Sequence, residues 1–261
     1  MGQGTGSPPT MNFLGLEFAR LSPEAALDTV LAKAKQAEFT YVVTPNVAHV
    51  VELDRAKGEG DDSLARAYAR AALRLCDSRI LALLARRCGI ELPVVAGSDL
   101  TASLLECPLL RGVRVAIIGS TADALGHLVQ LRPDVDFVQF IPPMGVRTDP
   151  QAQARIVEFV ERVEANIVLF ALGFPQSELL ACEIARRGKA RGIGLCIGAS
   201  IDFIVGTKRR APRLLQRLHL EWAHRLASEP RRLWRRYLVE GPRIFAIWQR
   251  WRKTGQLERY D

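Results

Sequence analysis

The stretch Arg74-Leu75-Cys76-Asp77-Ser78-Arg79 shows how this chain is built. A short apolar run ends there in an acidic residue, and an amphipathic segment follows from 80 to 88. This pattern predicts a strand, a turn and a helix, with Asp77 just beyond the carboxyl end of the strand. Ligands bind at that edge in open parallel α/β sheets, so Asp77 is a candidate catalytic base. The alternative is that Asp77 only caps the next helix, as aspartates often do.

The same alternation of apolar runs and helical segments extends in both directions from this stretch. Strands are predicted at 12–18, 39–43, 73–76, 92–96, 113–118, 136–141, 167–172 and 193–197, with helical patterns between most of them. Strands and helices that alternate at this spacing form a mostly parallel sheet with helices on its faces. The predicted fold class is therefore α/β and Rossmann-like.

Three of the predicted strands end in similar turns. The turns are Thr44-Pro45-Asn46, Gly119-Ser120-Thr121 and Gly173-Phe174-Pro175-Gln176. Each one places backbone N–H groups at the start of a helix, where phosphate groups bind. Gly, Ser and Asn are ordinary turn residues, so one such turn alone indicates little. Several at one edge, with an acid among them, favour a pocket of the nucleotide-binding type.

Composition limits the class of protein. The chain has 261 residues, of which 48% are hydrophobic and 25% charged, so a sizeable core can form. No apolar run reaches the roughly 20 residues of a membrane-spanning helix, and the amino terminus lacks the pattern of a secretory signal. The five cysteines show no C-x-x-C spacing, which favours a reducing cytoplasm over a disulfide framework or a zinc site.

Charge and tryptophan are concentrated at the carboxyl end. The net charge is +8, and residues 207–261 contain 15 basic and 5 acidic residues together with all four tryptophans. The remaining 206 residues contain 21 basic and 23 acidic residues. This asymmetry indicates an anionic partner, which could be a membrane surface, nucleic acid or a phosphate-bearing substrate.

The apolar residues of this basic tail recur at helical spacing. The last segment has Ile244, Phe245, Trp248 and Trp251 on one face with arginines beside them, as in helices that lie in a membrane interface. The stripe could instead pack on the body of the protein, or the tail could bind nucleic acid. We divide the chain into a disordered amino terminus (1–11), an α/β catalytic domain (12–206) and a basic, membrane-associating helical appendage (207–261).

Several of these segments carry a family resemblance. Segments 198–212, 220–226 and 229–237 closely resemble the WecG/TagA/CpsF glycosyltransferase family. The similarity covers roughly residues 13–240, and its upstream parts are 44–49, 75–77, 96–100, Gly119 and 173–178.

The resemblance implies an inverting hexosyl- or N-acetylhexosaminyltransferase that needs no metal or other cofactor. Its donor would be a nucleotide diphosphate sugar, commonly a UDP-sugar, and its acceptor a sugar on a polyprenyl diphosphate lipid. The product would enter a bacterial cell-surface polysaccharide or exopolysaccharide. The enzyme would be cytoplasmic and peripheral on the inner face of the plasma membrane. No nucleic acid is expected as a partner, and a homo-oligomer is left open.

The resemblance also implies roles for individual residues. Asp77 matches the residue that takes the proton from the acceptor hydroxyl. The matching substrate-binding residues comprise the polar pair Thr44 and Asn46, the glycine Gly119, the nucleotide-side residues Gly173, Gln176 and Glu178, and the diphosphate-binding arginines Arg225, Arg232 and Arg235. Arginine suits that role because its planar fork pairs with phosphate oxygens and stays charged.

The sequence departs from the family pattern at two places. It has Asp77-Ser78 where the family has Asp-Gly, and 175–178 reads Pro-Gln-Ser-Glu where the family has Pro-Lys-Gln-Glu. The second change lies near the donor, so the sequence leaves the donor sugar undefined and N-acetylmannosamine is not assumed. The alternative function is a non-catalytic basic protein that binds RNA or anionic membrane through its tail.

Overall fold

The computed structural model describes residues 8–207 and 221–257. Its strands are β1 (Thr10–Phe13), β2 (Leu16–Ala19), β3 (Thr40–Val43), β4 (Leu73–Arg74), β5 (Arg114–Gly119), β6 (Asp136–Phe140), β7 (Ile167–Ala171) and β8 (Ile193–Cys196). Strands β3 to β8 form one parallel sheet in the order β4-β3-β8-β7-β5-β6, and β1 and β2 form a separate antiparallel pair. The predicted parallel α/β fold is confirmed.

Helices cover both faces of the sheet. Those of the body are α1 (Pro23–Lys33), α2 (Val47–Gly58), α3 (Ser63–Arg70), α4 (Arg79–Arg86), α5 (Gly97–Glu106), α6 (Ala122–Leu131), α7 (Pro150–Val163), α8 (Gln176–Arg187) and α9 (Ser200–Ile204). The appendage contributes α10 (Glu221–Ser228), α11 (Pro230–Trp234), a π-helical turn (Arg235–Glu240) and α12 (Arg243–Leu257). Short 3₁₀ turns lie at Pro108–Leu110 and Val146–Thr148.

Alternation along the strands explains the two layers. Tyr41 and Val43 point into one core with α2, α7 and α8, whereas Val42 points into the other with α1, α5 and α6. Successive side chains of a strand face opposite sides of the sheet, so a strand that is apolar throughout must be covered on both faces. This arrangement places all six carboxyl strand ends along one edge of the sheet.

Two predicted strands differ in the structure. The strand predicted at 12–18 is a hairpin, since Leu14 and Gly15 have φ angles of 55° and 79° and reverse the chain. It begins at Thr10, inside the segment predicted to be disordered, while residues 1–7 lie outside the described residues. The prediction of a strand at 92–96 is wrong, because this segment forms only an isolated bridge between Val94 and Cys76. Pro93 has no N–H with which to extend the bridge into a ladder.

The apolar stripe of α12 packs on the body. Ile244, Ile247 and Trp248 are buried in the same core as Phe13, whose ring meets Trp251 edge-on at 5.2 Å between centroids. The last helix of the predicted appendage therefore shares a core with the α/β domain. The part of the basic tail at 208–220 lies outside the described residues.

Polar contacts also hold α12 in place. The Trp248 Nε1–H donates to Cys88 Sγ at 3.2 Å, and the Arg250 guanidinium pairs with Asp54 at 2.6 Å. In the described ranges 8–207 and 221–257, no helix has both the length and the apolar character needed to cross a membrane.

Candidate functional site

A cleft of about 590 Å³ lies at the carboxyl edge of the sheet. Its floor is formed by residues that follow β3, β4, β7 and β8, and its opposite wall is formed by the appendage. Most of the residues predicted from the sequence line it, namely Thr44, Asn46, Asp77, Gly173, Glu178, Arg225 and Arg232. The cleft is therefore enclosed between the near-neutral body and the basic appendage.

Asp77 lies at the floor of this cleft, immediately after β4 and the bridged residue Cys76. Its backbone N–H donates to the carbonyl oxygen of Pro45 at 3.0 Å, which fixes the strand end against the neighbouring turn. The side chain that caps α4 is that of Ser78, whose Oγ accepts from the Leu81 N–H at 3.2 Å. The interpretation of Asp77 as the helix cap is thus wrong, and Asp77 is a residue that lines the cleft.

The turn after β3 supplies two polar residues beside Asp77. The buried Thr44 donates through Oγ1 to the carbonyl oxygen of Cys196 at 3.3 Å, which ties β3 to β8. Asn46 caps α2, with Oδ1 accepting from the Ala48 N–H at 3.0 Å. Because its oxygen is engaged in this cap, the amide NH₂ of Asn46 is the group that it can offer to a ligand.

The turn after β5 does not line the cleft as predicted. Thr121 uses its hydroxyl to cap α6, and the carbonyl oxygen of Gly119 accepts from the Gln139 side chain at 2.9 Å. Gly119 has a φ of +94°, and a Cβ there would lie 2.9 Å from the carbonyl oxygen of Ala171. This glycine is thus explained by the close approach of β5 and β7. Gln176, at the start of α8, is likewise outside the described lining of the cleft.

The third arginine of the opposite wall is Arg236, whereas the sequence predicted Arg235. Arg235 is exposed, with its guanidinium carbon 5.8 Å from the centroid of the Trp234 ring. Arg236 follows Arg232 by four residues, a spacing that places two side chains on the same face of a helix. A π-helical turn begins at this point, where the Gly241 N–H bonds back five residues to the Arg236 carbonyl oxygen at 2.9 Å.

The cationic wall carries charge that is only partly compensated. Arg225 lies 5.1 Å from the centroid of the Phe203 ring, and Arg232 pairs with Glu229. The Nε of Arg236 is buried without a hydrogen-bond partner among the described residues. Burial, and then the neighbouring arginines, lower the pKa of Arg236, although Tyr237 opposes the shift. A concave surface with these cations attracts an anionic ligand.

Two further polar residues of the cleft are deeply buried. His49 bonds through Nδ1 to the Tyr68 hydroxyl at 2.6 Å and stacks on Phe174 with 3.9 Å between ring centroids. Burial, assisted by the charge of Arg236, lowers the pKa of His49 to about 3, so the ring is neutral. Glu178 is 3% exposed, and burial raises its pKa to about 7. His49 and Glu178 are thus two residues on the body side of the cleft that are uncharged or close to it.

The residue-by-residue predictions did not name His49, Asp202 and Arg236, which also line the cleft. His49 and Asp202 lie within segments 44–49 and 198–212, whose similarity to the family was recognised as a whole. The four-residue spacing from Arg232 was the signal that could have identified Arg236. No group of three or more His, Cys, Asp or Glu residues in the described parts of the chain is arranged to hold a metal ion.

The fold and the cleft together define a Rossmann-like α/β protein with a ligand site at the carboxyl edge of its sheet. The family model described as the glycosyl transferase WecG/TagA/CpsF family matches residues 11–257. The match covers nearly the whole chain, which therefore belongs to the WecG/TagA/CpsF glycosyltransferase family. Membership confirms the resemblance and identifies a transferase of cell-surface polymer synthesis.

Proposed function

We propose that this protein transfers a sugar from a nucleotide diphosphate sugar, with UDP as the first candidate, to a polyprenyl-diphosphate-linked saccharide. The observation that carries the proposal is the arrangement of one cleft, with Asp77 on its floor and Arg225, Arg232 and Arg236 on the wall formed by the appendage. An acid and a set of cations in one cleft match the two needs of the reaction, which are proton removal and stabilisation of a departing diphosphate.

The proposed mechanism is a single displacement. The Asp77 carboxylate takes the proton of the acceptor hydroxyl, and the acceptor oxygen forms a bond to the anomeric carbon of the donor sugar. The bond between that carbon and the diphosphate oxygen breaks, and its electron pair leaves with the nucleoside diphosphate. Attack from the side opposite the leaving group inverts the anomeric centre.

The arginines are assigned to the leaving group. Charge develops on the diphosphate as the bond to the sugar breaks, and guanidinium groups stabilise such charge through charge-assisted hydrogen bonds. Arg236 takes the role that the resemblance gave to Arg235, because Arg236 is the residue that lines the cleft. Thr44 and Asn46 lie beside Asp77 and are proposed to position the sugars.

A donor panel tests the function. Purified protein is incubated with a set of nucleotide sugars and a polyprenyl-diphosphate-linked saccharide, and nucleoside diphosphate release is measured with and without the acceptor. Release from one donor that depends on the acceptor would support the proposal and identify the donor. If a folded protein releases no nucleoside diphosphate from any donor in the presence of lipid acceptor, the proposed reaction is wrong for these substrates.

We further propose that the enzyme meets its lipid acceptor at the inner surface of the membrane. Four large apolar side chains of the appendage are exposed at about half or more of their surface, namely Trp234, Leu238, Val239 and Phe245. Exposed arginines accompany them at 231, 235 and 243. Apolar side chains surrounded by arginine favour an anionic membrane surface, where each cation contributes about 1 kcal/mol.

This membrane surface has a direct test in vesicle sedimentation. Replacing Trp234 and Leu238 together by serine should reduce binding to anionic vesicles about tenfold or more, because it removes apolar surface that the membrane would otherwise bury. Leu131→Ser is the matched control, since Leu131 is also exposed but lies on α6 of the body. Equal vesicle binding by the double variant and the control would contradict the membrane assignment.

A further inference from the structure

Glu178 is an acidic residue of the cleft that has no role in the proposed reaction. Glu178, in the first turn of α8, lines the cleft although it is 3% exposed. Its Oε2 is enclosed and has no hydrogen-bond partner within the described residues. Buried polar atoms are nearly always satisfied, so an enclosed oxygen at the wall of a binding cleft indicates a partner supplied by the ligand.

The surroundings of Glu178 contain little charge of either sign. Tyr68 faces it from α3 and Cys196 from β8, and burial raises the pKa of both groups, which keeps them neutral. His49 of α2 is neutral and its pKa is lowered further by the charge of Arg236, while Asp77 and Asp202 line the same cleft. No ion pair of Glu178 occurs within the described residues. A carboxyl group in such a place favours its protonated form.

We propose that Glu178 holds a proton in the resting enzyme and, as a neutral acid, forms a hydrogen bond with a hydroxyl or amide group of the donor sugar, which makes it a specificity-determining residue. This inference rests on the proposed function. A neutral carboxyl group has one O–H donor and an acceptor oxygen, which complement the uncharged hydroxyl and amide groups of a sugar.

The position of the cations favours the sugar over the diphosphate as the partner of Glu178. The three arginines belong to the appendage wall, whereas Glu178 belongs to the body wall together with Asp77. A diphosphate held by the arginines would be repelled by an ionised Glu178, but an uncharged sugar would not. A buried group that must be paired also rejects sugars that lack the matching hydroxyl or amide, which is the usual origin of strong discrimination.

Binding measurements test this inference apart from turnover. We would titrate wild type, Glu178→Gln and Glu178→Met with the nucleotide sugar identified by the donor panel and with the matching nucleoside diphosphate, at pH 6.5 and pH 8. Glu178→Gln is the conservative variant, because an amide is neutral at every pH and keeps a donor and an acceptor. Thermal unfolding monitored by circular dichroism would verify that each variant is folded.

The expected results separate the sugar from the nucleotide. Wild type should bind the nucleotide sugar about tenfold more weakly at pH 8 than at pH 6.5, because the carboxyl group loses its proton over that interval. Glu178→Gln should lack this pH dependence, and Glu178→Met should bind the nucleotide sugar at least about tenfold more weakly than Glu178→Gln at both pH values. The affinity for the nucleoside diphosphate should be the same in all three proteins at pH 6.5, where Glu178 is mostly protonated.

Other results would overturn the inference. If Glu178→Met weakened the nucleoside diphosphate and the nucleotide sugar equally, Glu178 would contact the nucleotide. If the affinity of wild type for the nucleotide sugar did not change with pH relative to Glu178→Gln, the proton assignment would be wrong. A panel in which no donor binds would instead refute the proposed function itself, and with it the role of Glu178.

Discussion

At the scale of single residues, the cleft contrasts an acid on its floor with cations on its wall. Asp77 lies three residues beyond the short strand β4, where its N–H bonds to the Pro45 carbonyl oxygen and Ser78 supplies the helix cap. Asp77 is therefore not needed as the helix cap and lines the cleft. The neighbouring residues Asp77 and Ser78 therefore have different roles. The neighbouring arginines Arg235 and Arg236 also differ, since only Arg236 lines the cleft.

The pair Arg235 and Arg236 provides a matched test of the wall. Arg236→Gln should weaken nucleoside diphosphate binding about 10- to 100-fold, because a charge-assisted contact in the cleft is lost. Arg235→Gln should have little effect on that binding, since Arg235 is exposed. Titration calorimetry with UDP measures both. A larger loss for Arg235→Gln than for Arg236→Gln would reverse the assignment.

Burial of neutral His49 should make stability depend on pH. The folded protein holds this ring with a pKa of about 3, whereas the unfolded chain binds its proton near the ordinary value of 6.5. The contribution of His49 is therefore full above pH 6.5 and is lost as the pH falls from 6.5 toward 3. Between pH 7 and pH 5 the loss is about 2 kcal/mol in the free energy of unfolding.

Urea unfolding of wild type and His49→Phe at several pH values measures the contribution of His49 to the free energy of unfolding. The contributions of the other titrating groups cancel when the two proteins are compared at the same pH. The stability of wild type relative to the variant should fall as the pH drops from 7 to 5. Tyr68→Phe is the control, because it removes the hydrogen bond to Nδ1 but keeps the imidazole. A difference between wild type and His49→Phe that is constant over this range would show that His49 is not held neutral by the fold.

At the scale of secondary-structure elements, α12 combines two surfaces with different surroundings. Ile244 is 1% exposed and packs in the core that α2 and α8 share, whereas its neighbour Phe245 is 51% exposed. The apolar stripe predicted from the sequence thus divides between core packing and an exposed surface. Only the exposed part is available to a membrane.

These two neighbours give a second matched pair. Ile244→Ala should lower the free energy of unfolding by about 2–4 kcal/mol, because it leaves a cavity in a packed core. Phe245→Ala should change it by less than about 0.5 kcal/mol, since Phe245 is mostly exposed. Chemical denaturation measures both variants. Similar losses for the two would mean that α12 does not pack on the body through the Ile244 face.

At the scale of the whole molecule, much of the architecture was predictable and part of the site was not. The apolar runs at 113–118 and 167–172 predicted β5 and β7 to within one residue at each end, because buried parallel strands are apolar throughout. The positions of Thr44, Asn46 and Asp77 at the cleft followed from strand ends that share one edge.

The errors came from features that a single local pattern does not contain. Gly119 resembled a phosphate-binding glycine, but its conformation serves the close contact of β5 with β7, which is a tertiary constraint. Arg236 lines the cleft in place of the predicted Arg235, and the packing of α12 depends on a body surface that exists only after the sheet has formed. Prediction from the sequence therefore succeeded for strands and helices, whose pattern of buried apolar residues is visible along the chain. It failed where a residue's position depends on contacts between distant segments.

The role of Asp77 as the base is tested by comparing wild type with Asp77→Asn in acceptor-dependent release of nucleoside diphosphate. Asparagine preserves the shape of the side chain but cannot accept the proton, so the rate should fall by about 10²- to 10⁴-fold. The melting temperature and the affinity for nucleoside diphosphate should remain near those of wild type. An Asp77→Asn protein that transfers sugar at the wild-type rate would contradict the assignment of Asp77 as the base.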